Sequence, residues 1–366
     1  MNTAAERMTE ALAAFRRGEI VVVTDDDDRE NEGDLILAAN HATPEKLAFI
    51  VRHTSGIVCA PITADAARRL QLQPMVADND APLGTAFTVS VDFRHGLTTG
   101  ISAEERSNTV RALANPNAGA SDFVRPGHVF PLIAHDGGVL MRSGHTEAAI
   151  DLCRLAGLPA IGVLAELVND DGTVKHGAEV VRFADEHRLQ RVSVADIIAW
   201  RQRSEALVTR VGDTPTVTPA GPARAVAYLT PFDATQHLAL VFGEIGDGRH
   251  MLVRFHREAV LEDVFGTQGN VDALLKRMAD ARRGVIVYLR EGAVGVAEDG
   301  GRHRDAVLSG QSASSAARRD EWREIGLGAQ ILRDLGVKSI RLIASRERRY
   351  VGLDAFGITI ETTEPS

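Results

Sequence analysis

Cysteine is scarce in this chain, which has only Cys59 and Cys153 among its 366 residues. Two cysteines cannot form a disulfide framework, and alone they cannot supply the thiolates of a zinc site. Both lie in apolar runs, SGIVCAPI and AIDLCRLAGL, which favours buried packing over a reactive role. The chain is therefore not a disulfide-rich secreted scaffold.

Long apolar runs and excess positive charge are also missing. No segment reaches the roughly 18 uninterrupted apolar residues that a membrane span needs, and the segment MNTAAERMTEALAAFRRGEI lacks the apolar core of a secretory peptide. A formal net charge of -9 argues against a general nucleic-acid binder. We expect a cytoplasmic protein without membrane or nucleic-acid partners. A phosphorylated small molecule in a local basic pocket is compatible with these numbers.

The chain is long enough for two domains, because 366 residues exceed what one hydrophobic core usually serves. Strand-like and helix-like segments alternate through residues 1–205, which predicts an α/β (α+β layered) domain. Residues 206–223 hold three prolines and no apolar periodicity, which is typical of a linker. Residues 224–366 predict a second, smaller α/β domain with a long polar loop over 297–321.

Acidic side chains crowd the end of the first predicted strand. The stretch VVVTDDDDRENEGD, residues 21–34, carries seven carboxylates within its last ten residues. A solvated, charge-rich turn is the plain interpretation of such a run. However, Glu30, Glu32 and Asp34 alternate along the chain, which places three carboxylates on one side of an extended segment. Hard oxygen ligands beside a rigid strand suit a magnesium ion, and Arg29 among them suits an anion.

A second constellation surrounds the start of a predicted helix. The segment GVLMR is predicted to be a strand, and TEAAIDLCRLAGL is predicted to be a helix closed by glycine and proline. The junction between them holds Arg142, Ser143, Gly144, His145 and Thr146. Side-chain donors and free N–H groups at a helix N-terminus form a phosphate cradle. Taken alone, His145 fits a plain packing role equally well.

Four blocks of the sequence resemble one enzyme family. They are DDDDRENEGD, AFTVSVDFRHGLTTGIS, RPGHVFPL and GGVLMRSGHTEAAIDLCRLAGLPA, and the likeness extends over residues 5–203. The family is 3,4-dihydroxy-2-butanone 4-phosphate synthase, which converts the sugar phosphate ribulose 5-phosphate to a four-carbon ketone phosphate and formate in riboflavin biosynthesis. The resemblance implies a magnesium-dependent lyase, with manganese as a possible substitute. It also implies a homodimer with residues of both subunits at each site.

The same resemblance implies roles for single residues. Glu30 and His145 resemble the protein ligands of the catalytic magnesium ion. The implied catalytic residues are His128, Glu166, Glu32 and Asp34. The implied substrate contacts are Arg29, Glu30, Asp34, Thr99 beside Thr98, Arg142, Ser143, Gly144, His145, Thr146 and Glu166.

The chemistry of that reaction agrees with this residue set. Ribulose 5-phosphate must lose a proton next to its ketone and expel one carbon as formate, so negative charge develops on enediolate oxygens. A divalent cation that chelates two adjacent substrate oxygens stabilises that charge. Carboxyl and imidazole groups around the substrate are needed because several carbons gain or lose protons.

The second half, residues 224–361, more distantly resembles GTP cyclohydrolase II, a domain often fused to this synthase. The matching pieces are HMLVRFHREAVLEDVFG, RGVIVYLR, GLGAQILRDLGVKSIRLI and GLDAFGI. In that family three cysteines hold a zinc ion, and alignment on DVFG places their positions at Ala259, Asn270 and Asp272. An amide and a carboxylate do not replace three thiolates. We therefore expect no zinc and an inactive cyclohydrolase domain.

Other polar residues of this half leave two alternatives open. Glu321 and Arg323 resemble an acidic residue and a catalytic arginine of the cyclohydrolase, so a bifunctional enzyme that still opens GTP is the enzymatic alternative. His250, His256 and Asp263 lack the spacing of a metal site and are predicted to be solvated or packing residues. The other alternative is a non-catalytic module for interaction or regulation.

Overall fold

The computed structural model describes residues 3–25, 30–231, 235–265, 270–290, 322–344 and 353–365. Within them the chain divides into two compact units, one up to Arg201 and one from Gln202 onward. Each unit holds a mixed sheet of seven strands in its described part, which confirms the predicted pair of α/β domains. None of the described helices has the length and apolar character that crossing a bilayer requires.

The first unit alternates strands and helices along the chain. Its strands are β1 (Val21–Thr24), β2 (Gly33–Ala38), β3 (Cys59–Ile62), β4 (Val91–Phe93), β5 (Phe123–Ile133), β6 (Gly162–Glu166) and β7 (Gln190–Ser193). Its helices are α1 (Ala4–Arg16), α2 (Pro44–His53), α3 (Ala64–Arg69), α4 (Ala103–Ala114), α5 (His145–Leu155), α6 (Ala178–Glu186) and α7 (Val194–Ser204). The strand order across the sheet is β4-β5-β3-β6-β2-β1-β7.

Helices cover both faces of the first sheet. Successive residues of a strand point to opposite faces. In β2, Leu35 and Leu37 pack in one core with residues of α2, α4 and α6. Ile36 packs in the other core with residues of α1, α5 and α7. Because β2 is buried on both sides, its residues 35–38 form a continuous apolar run, and the unit has three layers.

Two helices of the first unit begin at residues whose side chains cap them. Thr43 caps α2 by accepting the N–H of Lys46 at 3.4 Å, and Pro44 occupies the first helical position. Ser193 caps α7 by accepting the N–H of Asp196 at 3.0 Å, while the Asp196 carboxylate accepts the N–H of Ser193 at 3.2 Å. Side-chain hydrogen bonds therefore satisfy backbone N–H groups at the start of both helices.

The segment GVLMR is not a strand, which corrects the prediction made from its apolar letters. Gly138–Leu140 form a short 3-10 turn. Gly137 and Gly138 take left-handed φ angles of 90° and 64°, which an extended strand excludes. The Asp151 carboxylate accepts the N–H of Val139 at 2.8 Å. The segment is thus a buried turn that leads into α5.

The second unit contains the strands β8 (Thr209–Thr218), β9 (Gly221–Leu229), β10 (His237–Phe242), β11 (Met251–Arg257), β12 (Gly284–Leu289), β13 (Ser339–Ala344) and β14 (Thr359–Pro365). Its α-helices are α8 (Val260–Phe265), α9 (Asn270–Ala281) and α10 (Gly328–Asp334), the last preceded by the π-helical turn Trp322–Leu327. The strand order is β14-β13-β11-β12-β10-β9-β8. β10 to β13 fall on the four apolar segments HLALVFG, HMLVRFH, VIVYLR and SIRLIAS.

The linker predicted for residues 206–223 is wrong, because most of these residues belong to the second sheet. β8 and β9 pair in antiparallel fashion, from Thr209 opposite Leu229 to Thr218 opposite Gly221. β8 lies at one edge of the sheet and is exposed along most of its length. A strand in this position needs no apolar periodicity and tolerates proline, which explains the error. The polar loop predicted for 297–321 lies outside the described residues.

A buried ion pair joins α5 to the end of α7. Arg201 donates from Nη1 to the Asp151 carboxylate at 2.9 Å and to the Gly137 carbonyl at 2.6 Å. The two side chains are almost fully buried, with Arg201 6% and Asp151 1% exposed. Burial raises the pKa of Asp151 to about 6, against the lowering effect of Arg201. The pair fixes the turn before α5 and thereby the N-terminus of that helix.

Replacing Arg201 by methionine should destabilise the protein in a pH-dependent way. At about pH 8 the ionised Asp151 loses its buried cation, at a cost of about 3–5 kcal/mol. The pKa of Asp151 is about 6 in the folded protein and 3.8 in its ordinary environment. Proton binding by Asp151 therefore stabilises the folded state fully below pH 3.8, and this contribution is lost as the pH rises through about 6. At about pH 5 the substitution should therefore cost less. Urea unfolding of Arg201→Met and wild type at both pH values measures the difference.

Two further variants control this experiment. Arg17→Met removes an exposed ion pair, since Arg17 lies 2.6 Å from Glu19 on the surface, and should leave the unfolding midpoint unchanged. The double variant Arg201→Met with Asp151→Asn should recover much of the lost stability, because the buried charge is removed together with its partner. An equal loss for Arg201→Met at both pH values would contradict the role assigned to Asp151.

Candidate active site

The predicted acidic residues converge at one edge of the first sheet. β2 begins where β1 and β6 end, and its Asp34 lies opposite Glu166 of β6 in the antiparallel register. On the other side of β2, Thr24 at the end of β1 lies opposite Gly33. The acidic residues at the end of β1, at the start of β2 and at the end of β6 therefore lie close together at this edge of the sheet.

Asp25 closes the acidic stretch through the backbone. Its carboxylate accepts the N–H of Glu30 at 3.1 Å and the N–H of Glu32 at 2.8 Å. Its own N–H donates to the Glu32 carbonyl at 3.3 Å. The intervening residues 26–29, including the predicted anion contact Arg29, lie outside the described residues. Asp25 was missed in the sequence, where its position as the first acid after a strand is the one available signal.

Asp25, Glu30 and His145 form a group that fits a divalent cation. Each offers one ligand atom, and these atoms lie within 4.8 Å of one another, close to the roughly 4 Å between opposite ligands of Mg²⁺. Carboxylate oxygens are the donors that Mg²⁺ and Mn²⁺ prefer, and imidazole also binds transition metals such as manganese. The structure thus brings the two ligands implied by the resemblance together and places Asp25 with them.

Crowding raises the proton affinity of the neighbouring carboxylates. Burial raises the pKa of Glu32 to about 7, and the surrounding carboxylates add to this shift. Burial also raises the pKa of Asp34 well above its ordinary value, with Glu166 as the next contributor. Oδ2 of Asp34 lies 3.8 Å from Nδ1 of His145. Near neutral pH such a cluster takes up either a proton or a cation.

The predicted phosphate cradle lies at the N-terminus of α5. Gly144 is the N-cap and His145 is the first helical residue. Ser143 and Thr146 flank them, and both are buried with 6% exposure. The first N–H groups of a helix lack intrahelical partners and carry the positive end of its dipole. The arrangement is therefore suited to an anion.

Arg142 is held beside this helix start by several acceptors. Its guanidinium donates to Glu147 at 2.7 Å, to the Leu83 carbonyl at 3.1 Å and to the Thr85 hydroxyl at 3.3 Å. Glu147 also accepts the N–H of His135 at 2.9 Å. Glu147 was not predicted as a site residue, although its place in the first turn of α5 beside an arginine could have indicated it.

His128 and Thr99 lie in a second group, away from the carboxylates. Nδ1 of His128 lies 2.7 Å from Asp92, and the Thr99 hydroxyl lies 3.5 Å from Glu105. In the strand order, β3 and β6 separate β5, which carries His128, from β2, which carries Asp34. At about 4.8 Å per strand, the two strands are roughly 14 Å apart. One chain therefore does not bring all of the implied catalytic residues together.

Both cysteines are buried and free of disulfides, as predicted. Cys59 lies opposite Leu164 of β6, two residues before Glu166. Burial raises the pKa of the Cys59 thiol, and the nearby charges of Glu166 and Asp34 raise it further. Cys59 therefore packs close to the carboxylates, a position that its apolar surroundings in the sequence did not indicate.

In the second unit, two of the three predicted packing residues bind each other. Nε2 of His256 lies 2.9 Å from Asp263, which also accepts the Tyr288 hydroxyl at 2.5 Å and the N–H of Ala259 at 2.9 Å. His250 is exposed and lies 2.5 Å from Glu361.

The polar positions implied by the cyclohydrolase resemblance are only partly described. Ala259 precedes α8, while Asn270 and Asp272 lie in the first turn of α9. Arg323 belongs to the π-helical turn before α10, and Glu321 lies outside the described residues.

Two family models match the chain. The model of 3,4-dihydroxy-2-butanone 4-phosphate synthase matches residues 9–200, and the model of GTP cyclohydrolase II matches residues 209–365. Among curated proteins, the riboflavin biosynthesis protein RibBA of Nocardia farcinica is 47% identical over 97% of this chain and 89% of its own length. A bifunctional riboflavin biosynthesis protein of Arabidopsis thaliana chloroplasts is 45% identical over 96% of this chain and 67% of its own length.

Solved structures resemble the chain in the same way. RibBX, a two-domain 3,4-dihydroxy-2-butanone 4-phosphate synthase from A. baumannii, is 34% identical with a TM-score of 0.81, covering 98% of this chain and 99% of its own. A 3,4-dihydroxy-2-butanone 4-phosphate synthase in complex with two magnesium ions is 46% identical with a TM-score of 0.53, covering 54% of this chain and 97% of its own. The chain therefore belongs to the 3,4-dihydroxy-2-butanone 4-phosphate synthase family and is an enzyme of riboflavin biosynthesis with a second domain of GTP cyclohydrolase II type.

Proposed function

We propose that this enzyme converts D-ribulose 5-phosphate to L-3,4-dihydroxy-2-butanone 4-phosphate and formate, with Mg²⁺ as its cation and Mn²⁺ as a substitute. The observation that carries the proposal is the group of Asp25, Glu30 and His145, whose ligand atoms lie within 4.8 Å of one another. The magnesium complex of a related synthase supports the choice of metal. Family membership supports the choice of substrate and products.

The three donors fit the proposed ion because they are hard or borderline ligands at an edge that already carries excess negative charge. A divalent cation at this edge supplies positive charge to substrate oxygens that become negative during the reaction. Asp25 keeps Glu30 in place by accepting its N–H, and the start of α5 keeps His145 in place. A backbone hydrogen bond therefore positions Glu30, and the helix start positions His145.

The remaining carboxylates are suited to moving protons. Because the pKa of Glu32 is raised to about 7, its carboxyl can accept a proton and release it again near neutral pH. Asp34 and Glu166 lie opposite each other on β2 and β6, so they can reach different carbons of one small substrate. We assign proton transfer to these three residues.

The phosphate group is assigned to the start of α5. Ser143, Gly144 and Thr146 surround the helix N-terminus, where backbone N–H groups and the helix dipole favour an anion. In the structure Arg142 binds Glu147 and the Leu83 carbonyl. Substrate phosphate would offer this guanidinium a bidentate partner.

We further propose a homodimer with shared active sites. The resemblance assigns His128 and Thr99 to the same substrate as Asp34 and Glu166. In one chain, however, the strands that carry His128 and Asp34 are separated by β3 and β6. A second copy that presents its His128 group to the carboxylates would complete each site.

The second domain is proposed to be inactive toward GTP and to serve assembly or regulation. Alanine, asparagine and aspartate occupy the positions of the three zinc cysteines, and they leave at best one carboxylate and one amide as ligands. Zinc in catalytic sites normally has three firm protein ligands. Without the ion, a water that attacks guanine stays near its bulk pKa. This disfavours the bifunctional alternative.

Removal of a proposed metal ligand should abolish formate production. Glu30→Gln and His145→Ala should each lower turnover of ribulose 5-phosphate by more than about 100-fold, since loss of even an outer-shell partner typically costs 10–100-fold. Both variants should also bind Mn²⁺ more weakly in electron paramagnetic resonance titrations, while circular dichroism stays unchanged. Chelation of wild type should have the same effect on turnover and should be reversed by added Mg²⁺.

Glu45→Gln is the matched control for the metal-ligand variants, because Glu45 is exposed in the first turn of α2. It should change neither turnover nor Mn²⁺ binding. Near-native turnover with unaltered Mn²⁺ affinity in Glu30→Gln would show that the metal assignment is wrong.

A mixture of two inactive variants tests the shared site. Glu30→Gln and His128→Gln should each be inactive alone, but after joint unfolding and refolding every heterodimer should contain one intact site. Random pairing then predicts about one quarter of wild-type activity. Light scattering should report a dimer for all species. No recovery of activity in a mixture that contains heterodimers would place each site within one chain.

Formate release from two substrates tests the second domain. Pure full-length protein with Mg²⁺ and Zn²⁺ should release formate from ribulose 5-phosphate but not from GTP, because the proposed zinc ligands are missing. Metal analysis after dialysis should find no stoichiometric zinc. The bifunctional alternative predicts the opposite on both counts, with comparable formate release from GTP.

A further inference from the structure

His128 projects from an interruption in the pairing of β4 with β5. Val91 lies opposite Val129, whereas the next residue, Asp92, lies opposite Val124, so four residues of β5 bulge out of the ladder. His128 is the last of these four residues. The bulge is therefore the local structure that sets the direction of its imidazole.

Side chains of the neighbouring strand satisfy the backbone of the bulge. The Ser90 hydroxyl accepts the N–H of Gly127 at 3.1 Å, and Oδ1 of Asp92 accepts the N–H of His128 at 2.9 Å. A Cβ on Gly127 would lie 2.0 Å from the carbonyl carbon of Val91, so only glycine fits this close approach. The position of His128 relative to Asp92 is consequently fixed by covalent geometry and backbone packing.

The second carboxylate oxygen of Asp92 contacts the imidazole of His128, whose backbone N–H the first oxygen accepts. Oδ2 lies 2.7 Å from Nδ1 of His128. The Asp92 side chain is 4% exposed, whereas that of His128 is 41% exposed. A carboxylate can only accept at Nδ1, so Nδ1 carries the hydrogen in the neutral ring and the lone pair is on Nε2.

The loop that contains Thr98, Thr99 and Gly100 packs against this hydrogen bond. A Cβ on Gly100 would lie 2.1 Å from Oδ2 of Asp92 and 2.6 Å from Nδ1 of His128, and its φ angle of +85° also favours glycine. Glu105 holds the loop in place by accepting the N–H and hydroxyl of Thr98 at 2.6 and 2.8 Å. The backbone at Gly100 is therefore packed directly against both partners of the hydrogen bond.

A buried cation supports the negative charge of Asp92. Arg106 of α4 is 6% exposed and donates to the Gly56 carbonyl at 3.1 Å. Burial lowers the pKa of Arg106, while its attraction to Asp92 raises it. Asp92 thus accepts hydrogen bonds from the backbone N–H and from Nδ1 of His128, and the positive charge of Arg106 attracts it.

From this geometry we infer that Asp92 is a positioning residue for the synthase reaction. It holds His128 in the tautomer whose lone pair is on the exposed Nε2, and it stabilises the imidazolium that forms when Nε2 takes a proton. The inference rests on the proposed catalytic role of His128. In the step itself, the Nε2 lone pair accepts a proton from the substrate, Nδ1–H continues to donate to Asp92, and the proton later returns to the product from Nε2.

Asp92→Asn tests this inference with little change in shape. In the variant, the oxygen of the Asn side chain can still accept the backbone N–H of His128, and its NH₂ group then faces Nδ1. Nδ1 must accept this hydrogen bond, so the neutral imidazole should switch to the tautomer with its hydrogen on Nε2. We expect kcat to fall about 10²- to 10⁴-fold, with KM for ribulose 5-phosphate changed by less than about threefold. Nitrogen-15 NMR of histidine-labelled protein should show Nδ1–H in wild type and Nε2–H in the variant. The His128 signals are identified by their loss in His128→Gln.

Asp122→Asn is the matched control, because Asp122 lies 2.9 Å from Nε2 of His95 in an exposed pair of the same domain. It should leave kcat and the His128 tautomer unchanged. An Nε2–H tautomer in wild type, or an unchanged kcat in folded Asp92→Asn, would overturn the inference. If His128→Gln itself retains wild-type kcat, the catalytic role of His128 fails instead, whichever tautomer NMR reports.

Discussion

The crowding of carboxylates at the ends of β1, β2 and β6, of which Asp25 and Asp34 are buried, is the constraint on which the rest of the first domain depends. Charged oxygens that lose their water repel one another strongly, and a fold must compensate for this repulsion. Asp25 turns its charge toward two backbone N–H groups. α5 brings its positive end and His145 to the same edge. Carboxylate oxygens gathered in this way are also suitable ligands for a divalent cation.

The acidic character of the site was predictable from residue type and spacing, whereas its metal ligands were predicted only through the family resemblance. That resemblance implied Glu30 and His145 as metal ligands, and the structure places their ligand atoms together. Asp25 was missed because it begins a run of four identical aspartates. The backbone hydrogen bonds that Asp25 accepts in the folded chain are not apparent from such a run. Local composition thus predicts the kind of site, while the turn that closes it decides which acid contributes.

Features that depend on the order of strands in the sheet could not be predicted from local sequence patterns. The place of β5 two strands away from β6, which separates His128 from the acidic edge, follows from long-range pairing. The buried turn at Gly138–Leu140 was wrongly predicted to be a strand. Apolar residues indicate that a segment is buried, but they do not determine its φ and ψ angles. The same applies to the Asp92–His128 pair, whose members are brought together by an interrupted ladder.

The exposed strand β8 has a consequence for how the protein behaves when it is concentrated. An edge strand offers unpaired backbone groups to any neighbour, which is a route to aggregation. Pro215 has no N–H to offer, and Arg210 and Asp213 place charges along the same edge. These residues are the reason that the sequence pattern did not predict a strand here. They also discourage the sheets of separate molecules from pairing at this edge. A polar, proline-containing strand at the edge of the sheet thus disfavours pairing with the edge strand of another molecule.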